Sequence, residues 1–306
     1  MTTPAAHSIG TPPADFTLDE SLIRRLLREQ HPDLANLPLR AVDVGWDNAM
    51  YRLGDELAVR LPRRAVAAPL IINEQTWLPK LAGNLTLPVP VPLRIGMPGC
   101  DYPCRWSVVR WLLGVSADKE EPLASQAGVF GAFLRSLHVP APDDAPINPY
   151  RAVPLCERVA LFEAKRQRLT EEIRAIAAEI AEIWNAAVGA PVNVAPTWLH
   201  GDLHPRNVLV ERGIITGVID WGDMTAGDCA VDLASIWMLF AEPEARREAL
   251  AAYGAISDAT ERRAAGWAAL FGLALLDTGL VDHPGHAIIG RRTLSRLAEA
   301  RRHGDI

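Results

Sequence analysis

The chain has 306 residues, 49% of them hydrophobic and 22% charged, a balance that fits a globular protein of one large domain or two lobes and excludes a disordered or fibrous one. Its formal net charge of -6 excludes a general binder of nucleic acid or anionic membrane, because such partners are held by a positive surface that displaces counterions. Four scattered cysteines (Cys100, Cys104, Cys156, Cys229) are too few for a disulfide framework, and no apolar run is long enough to span a membrane, so free thiols and a cytoplasmic location are expected.

The opening segment, MTTPAAHSIGTPPADF, has neither a basic start nor an apolar stretch and reads as a polar tail. Thr17-Leu-Asp-Glu20 then reads as a capping box, and Leu22, Ile23, Leu26 and Leu27 supply the apolar stripe of the helix it opens. From Leu39 the period changes to two. The runs LRAVDVG, AMYRLG and ELAVRLP, separated by Gly45-Trp-Asp-Asn48 and Gly54-Asp55, predict antiparallel strands. Residues 65–81 read as a helix despite Pro69 and Pro79, and 88–94 and 105–111 as two more strands.

Beyond Gly114 the pattern is mainly helical, with helices predicted near 124–138, 155–188, 228–241, 244–253, 258–277 and 286–302. The interruption at 196–222 holds a hairpin, NVLVE and IITGVID, turning at Glu211-Arg-Gly213. The expected fold class is α+β, with a sheet-rich lobe over 1–113 and a helical lobe over 114–306 that carries the hairpin.

The chemistry concentrates in that interruption. His200-Gly-Asp-Leu-His-Pro-Arg-Asn207 is followed thirteen residues later by Asp220-Trp-Gly222. Phosphoryl transfer needs a carboxylate near the acceptor hydroxyl, plus an amide oxygen and a second carboxylate to hold Mg²⁺ on the nucleotide phosphates. Hard oxygen ligands suit that ion, and a hairpin between Asn207 and Asp220 returns both to one place. His200 and His204 read as residues that bond the loop backbone and hold its shape.

With HGDLHPRN and VIDWGD the chain resembles the aminoglycoside phosphotransferase family, relatives of choline kinases with the bilobal protein-kinase-like fold. The resemblance implies Asp202 as catalytic base or hydroxyl-orienting residue, and Asn207 and Asp220 as Mg²⁺ ligands. It also implies Arg60, in LAVR, where the family carries Lys. Arginine keeps the charge and can grip phosphate oxygens while pairing with Glu74. Gly45-Trp-Asp-Asn48 replaces a glycine-rich phosphate loop; backbone amides 46–48 and the Asn48 side chain either cap a triphosphate or form a plain turn. Val108-Val-Arg-Trp-Leu112 resembles the hinge, with Arg110 and Leu112 offering backbone groups to a purine of ATP or GTP, and Ala58, Leu209 and Ile219 fall where the family sandwiches the base.

In the family the Gly227-Asp228 pair braces the catalytic loop. Only five residues, Asp223 to Gly227, separate Asp220-Trp-Gly222 from Asp228, and Gly201 replaces the Arg of H-R-D, so protein substrates are not expected. The acceptor is then a small hydroxylated molecule: an antibiotic (aminoglycoside or macrolide), whose phosphorylation confers resistance, or a metabolite such as choline, a sugar or an amino alcohol. A nucleotide-binding pseudokinase is the remaining reading. Trp184, Trp237, Trp267, Glu157, Glu163, Asp277 and Asp282 are available to an acceptor pocket, where carboxylates would favour an amino sugar and tryptophans a bulky lactone. Cys100-x3-Cys104 and His283-Pro-Gly-His286 read as loops rather than metal sites. Nothing calls for an obligate protein partner.

Overall fold

The structure, a computed structural model, describes residues 10–306, so most of the opening tail lies outside the described residues. Helix α1 (Glu20–Gln30) buries Leu22, Ile23, Leu26 and Leu27 as its periodicity requires, but its cap is Asp19, not Thr17. The Asp19 carboxylate accepts from the Leu22 N–H at 2.8 Å, where a negative charge also meets the positive end of the helix. Glu20 is the first helical residue and pairs with Arg24 one turn on.

Strands β1 (Leu39–Val44), β2 (Asn48–Leu53) and β3 (Leu57–Pro62) form a meander. Helix α2 (Ala68–Leu81) follows, then β4 (Pro92–Gly96) and β5 (Trp106–Arg110), giving an antiparallel sheet in the order β1-β2-β3-β5-β4. The strand predicted at 88–94 starts at Pro92 instead. Pro88, Pro90 and Pro92 have no N–H to donate, so the chain enters the sheet only at its edge, where a missing donor is tolerated. Gln75 of α2 donates to the Trp106 carbonyl at 2.9 Å and the Ser107 hydroxyl at 3.0 Å, which fixes the helix against β5.

The second half holds β6 (Val115–Ser116), α3 (Ala127–Leu137), α4 (Val159–Arg168), α5 (Thr170–Ile173), α6 (Ala177–Val188), β7 (Thr197–Leu199), β8 (Val208–Glu211), β9 (Ile214–Val218) and β10 (Thr225–Gly227). It continues with α7 (Ala230–Leu233), α8 (Ser235–Leu239), α9 (Pro243–Tyr253), α10 (Asp258–Gly279) and α11 (Pro284–His303). The helix predicted over 155–188 is broken after Arg168 and again near 174–176, and that over 228–241 is split at Ala234. At the first break the Thr170 hydroxyl bonds the Gln167 carbonyl, and after the split Ser235 does the same to Asp232, each offering the backbone an alternative partner.

The buried side chains form two clusters. One gathers α1 with the sheet residues Leu53, Val59, Leu61, Trp106 and Val108. The larger surrounds α10, on which Ala264, Ala265, Trp267, Ala268 and Ala269 are buried, and draws in Leu78 and Leu81 from α2. Small residues let helices approach closely here: a Cβ on Gly131 of α3 would stand 2.0 Å from the Ala249 carbonyl oxygen of α9. Gly131→Ala is therefore expected to force the two helices apart at a cost of about 2 kcal/mol, seen as a lower urea midpoint with an unchanged slope. No helix among the described residues is long and apolar enough to cross a membrane.

Candidate active site

Strand β7 delivers the chain into the loop 200–207, whose shape is set by a fully buried carboxylate. Asp232 accepts from the His200 N–H at 2.6 Å and the Gly201 N–H at 2.9 Å, and stands 3.4 Å from His138 Nε2. The brace is thus Asp232 rather than Asp228. Asp228 is taken by Arg263 at 2.6 and 3.1 Å and by the Ala230 N–H. His200 is a backbone linker: its Nδ1 accepts from the Asp202 N–H at 3.3 Å, which leaves Nε2 to donate to the Ile219 carbonyl at 2.9 Å. Gly201 takes φ +84°, and a Cβ there would lie 2.5 Å from the Asp223 carbonyl oxygen, so only glycine fits between the two loops.

Asp202 projects from this loop with a quarter of its side chain exposed. Its Oδ1 lies 2.6 Å from Arg151 Nη2 and its Oδ2 3.4 Å from His204 Nε2. Burial opposes ionisation, but Arg151 and then His204 hold the carboxyl well below the usual carboxylate range. Asn207 is buried and donates Nδ2 to the Asp202 carbonyl at 2.8 Å, which leaves its Oδ1 as the unused acceptor; its own carbonyl takes the Ile219 N–H at 2.9 Å. Asp220 follows β9 in a left-handed conformation, φ 63° and ψ 65°, unusual for a residue with a Cβ, and 53% of its side chain is exposed. Asn207 is thus bonded directly to the Asp202 backbone, and the Ile219–Asn207 bond brings Asp220, the next residue, to the same end of the hairpin.

From the sheet, Arg60 reaches the same place. Only 4% exposed, it lies 2.7 Å from Glu74 Oε2 of α2 and 2.5 Å from Asp220 Oδ1, linking α2 to the loop after β9. Burial works against its charge, and Glu74 and Asp220 outweigh burial. Glu74 is wholly buried, and burial pushes its carboxyl up to about 7 against the pull of Arg60, with Asp220 adding like-charge repulsion.

The remaining predicted residues sit around this group. Ala58 is buried on β3 opposite Val109. Leu209 faces Gly217 across the hairpin, and a Cβ on Gly217 would meet the Leu112 side chain at 2.8 Å, so the 111–114 connector packs on the hairpin beside Leu209. Ile219 bridges Asn207 and His200 through its backbone. The Trp111 N–H is bonded to the Glu56 carbonyl, whereas the Leu112 N–H and C=O make no bond to the protein among the described residues. The exposed Arg110 side chain turns instead into a cavity of about 450 Å³ lined by Ala82, Leu87, Val89 and Val91. Asn48 opens β2 with its Oδ1 buried and without a partner, while the preceding turn is pinned by Arg63 on the Gly45 carbonyl and Arg64 on Asp47.

A second cavity, about 190 Å³, adjoins Asp202 and is lined by Tyr150, Arg151, Arg158, Asp223, Trp267 and Phe271 among others. Of the side chains predicted for an acceptor, only Trp267 is here. Trp184 is buried in a stack with Phe162, Asp277 is neutralised by Lys165 and Arg168, Glu163 pairs with Arg166, and Asp282 accepts from the Thr11 N–H. Arg151 escaped sequence reasoning because the proline-rich connector that holds it has no periodicity, and Arg158 because it read as part of the helix predicted over 155–188. Asp223 is raised to about 6 by burial and by Asp202, with Arg151 opposing, and accepts from Asn148 Nδ2 at 2.7 Å.

Among the described residues no three His, Cys, Asp or Glu side chains converge as a metal cage. A nucleotide-borne Mg²⁺ needs less, since it keeps water and phosphate oxygens and takes one or two protein groups. The free Asn207 Oδ1 and the exposed Asp220 carboxylate are hard donors of that kind. His283 and His286 are not ligands: their Nε2 atoms lie 2.8 and 2.9 Å from Arg206 Nη1.

A model of the APH phosphotransferase enzyme family matches residues 38–267. The fold is similar to that in the GDP complex of aminoglycoside 2'-phosphotransferase-IIIa, with a TM-score of 0.69 at 18% identity over 94% of this chain and 100% of that one. It is also similar to macrolide 2'-phosphotransferase MphH from Brachybacterium faecium, with a TM-score of 0.58 at 20% identity over 90% and 97%. The uncharacterized protein YcbJ of Bacillus subtilis is 38% identical over 50 residues, which is 16% of this chain and 16% of that protein. These likenesses establish the bilobal kinase-like α+β fold.

Proposed function

The chain belongs to the APH phosphotransferase enzyme family, and on that footing we propose that it is a cytoplasmic, Mg²⁺-dependent kinase that moves the γ-phosphoryl group of ATP or GTP to a hydroxyl of a small molecule. The observation that carries this is the Asn207 side chain bonded to the Asp202 carbonyl at the end of the hairpin that Asp220 closes, with Arg60 bridging Glu74 to Asp220. In this reading the lobe boundary falls at 113/114. The base lies among Ala58, Leu209 and Ile219, with the Arg110 carbonyl and the free backbone groups of Leu112 as its edge partners. Arg60 steadies the phosphates, and Asn48 with the turn before it covers them.

Asp202, ionised at neutral pH, accepts the acceptor hydroxyl's hydrogen bond and aims its oxygen at the γ-phosphorus. The new O–P bond forms as the bond from that phosphorus to the β–γ bridging oxygen breaks; the nucleoside diphosphate leaves, and the hydroxyl proton passes to Asp202 and on to water. Asn207 Oδ1 and Asp220 would hold the Mg²⁺, which when bound neutralises phosphate charge. Positioning and electrostatics do most of the work.

An antibiotic acceptor, with resistance as its consequence, is favoured by the names of the structural neighbours, which act on aminoglycosides and macrolides. A metabolite acceptor is favoured by the chain itself, because the cavity beside Asp202 is small and carries two arginines. The test is nucleoside-diphosphate release by the purified protein with Mg²⁺, with ATP and GTP offered separately against kanamycin, a macrolide, choline, sugars and hydroxy acids. Acceptor-dependent release is expected. Nucleotide binding without release for any acceptor would replace the kinase by a nucleotide-binding module.

A further inference from the structure

The cavity beside Asp202 has the wrong charge for an amino sugar. Arg151 and Arg158 both line it, and the one carboxylate in its wall, Asp223, is already bonded to Asn148. Among the described residues Arg158 makes no ion pair, the neighbouring Glu157 acting on it only at a distance: it donates to the Pro149 carbonyl and lies 5.7 Å from the Tyr150 ring centroid. Its Nε, like that of Arg151, is buried without an acceptor. Burial also depresses the Arg158 guanidinium, so the site holds a cation that a ligand's negative charge would stabilise.

Arg151 is aimed from the other side. Its Nη2 is on Asp202, and its guanidinium carbon stands 4.9 Å from the centroid of Phe271. A guanidinium is itself a planar fork that can meet a carboxylate or phosphate through two parallel hydrogen bonds, and the ring face beside it adds a cation–π contact. The floor between the arginines is apolar and aromatic, from Trp267 and Phe271 of α10. At about 190 Å³ the space is well below the roughly 300 Å³ where pockets for drug-sized ligands begin.

We propose that the acceptor is a small hydroxylated anion, a hydroxy acid or a phosphorylated alcohol with an apolar portion, whose anionic group is gripped by Arg158 and Arg151 while its hydroxyl meets Asp202. This rests on the kinase reading and narrows it. The anion draws Arg151 away from Asp202, which frees that carboxylate for the hydroxyl when the right substrate is bound. A polycationic amino sugar is repelled by the same two charges, so the arginines both select and exclude.

Calorimetric binding tests this without needing turnover. Matched pairs that differ only in the anionic group serve as probes: 4-hydroxyphenylacetate with 2-(4-hydroxyphenyl)ethanol, glycerate with glycerol, and pantothenate with pantothenol, alongside kanamycin. In each pair that binds, the anion is expected to bind at least roughly tenfold tighter than its neutral partner, the worth of one charged hydrogen bond. That preference should vanish in Arg158→Gln and largely survive in Arg158→Lys. Equal binding within pairs, no binding by any of the anions, or kanamycin binding tighter than all of them would overturn the proposal. Nucleotide binding and nucleoside-diphosphate release are read on the same samples: release with only neutral or cationic acceptors sinks the anion assignment and leaves the kinase standing, whereas absence of release with every acceptor, at saturating nucleotide, sinks the kinase reading itself.

Discussion

Asp202→Asn is expected to lower acceptor-dependent nucleoside-diphosphate release by about 10³-fold, within the range that loss of a positioned general base produces, while nucleotide affinity stays within a factor of about two. The amide keeps the size of the side chain, so the packing of the 200–207 loop on Asp232 is untouched. What it loses is charge. Arg151 at 2.6 Å and His204 at 3.4 Å hold the wild-type carboxyl ionised, and a neutral amide can neither take the hydroxyl proton nor pair with the Arg151 guanidinium. The effect should fall on kcat with both ATP and GTP, because in the proposed mechanism Asp202 meets the acceptor hydroxyl and not the nucleotide. A rate within roughly tenfold of wild type at saturating acceptor would remove Asp202 from the chemistry and leave it as a loop residue.

The readable parts of this chain are those where a local rule and the tertiary demand agree. The period-two runs from Leu39 to Pro62 became the antiparallel β1–β3 meander because each strand is joined to the next by a short turn. The Asn207–Asp220 hairpin was legible for the same reason, and with it the return of those two residues to one end of a strand pair. Arg60 and Glu74 could be paired in advance only because LAVR resembles the family's strand ending in Lys; that both are buried came from the structure. Sequence reasoning failed where a distant contact decides. The choice of Asp232 over Asp228 as the brace depends on Arg263, 35 residues further on, claiming Asp228 first. The breaks around Leu169 and Ala234 carry no glycine or proline, only hydroxyl bonds that a propensity scale cannot see. The sequence left the acceptor pocket open between carboxylates and tryptophans, and the arginines that line the cavity were not foreseen. Asp277 and Glu163 are taken by Lys165, Arg168 and Arg166, while Arg151 comes from a connector with no pattern to read and Arg158 from a stretch that read as helix.

Asp220→Ala should abolish turnover, by more than about 10³-fold, because it removes one of two protein oxygens available to a nucleotide-borne Mg²⁺ and the only charged one. The substitution also touches the scaffold. Asp220 supplies one of two carboxylates around the buried Arg60, and its left-handed backbone costs alanine about 1 kcal/mol. Asp220→Asn separates these effects, since asparagine tolerates the left-handed region and keeps one ligand oxygen while losing the charge. The Asn variant should melt near wild type yet need about tenfold more Mg²⁺ for half-maximal rate, whereas the Ala variant stays folded and inactive at any Mg²⁺ concentration. Arg60 explains why the fold survives. With Asp220 gone, Glu74 remains at 2.7 Å, and it ionises more readily without a like charge beside it. If Asp220→Asn turned over at the wild-type rate with unchanged Mg²⁺ dependence, Asp220 would be a partner of Arg60 alone, and the metal site would have to be sought elsewhere.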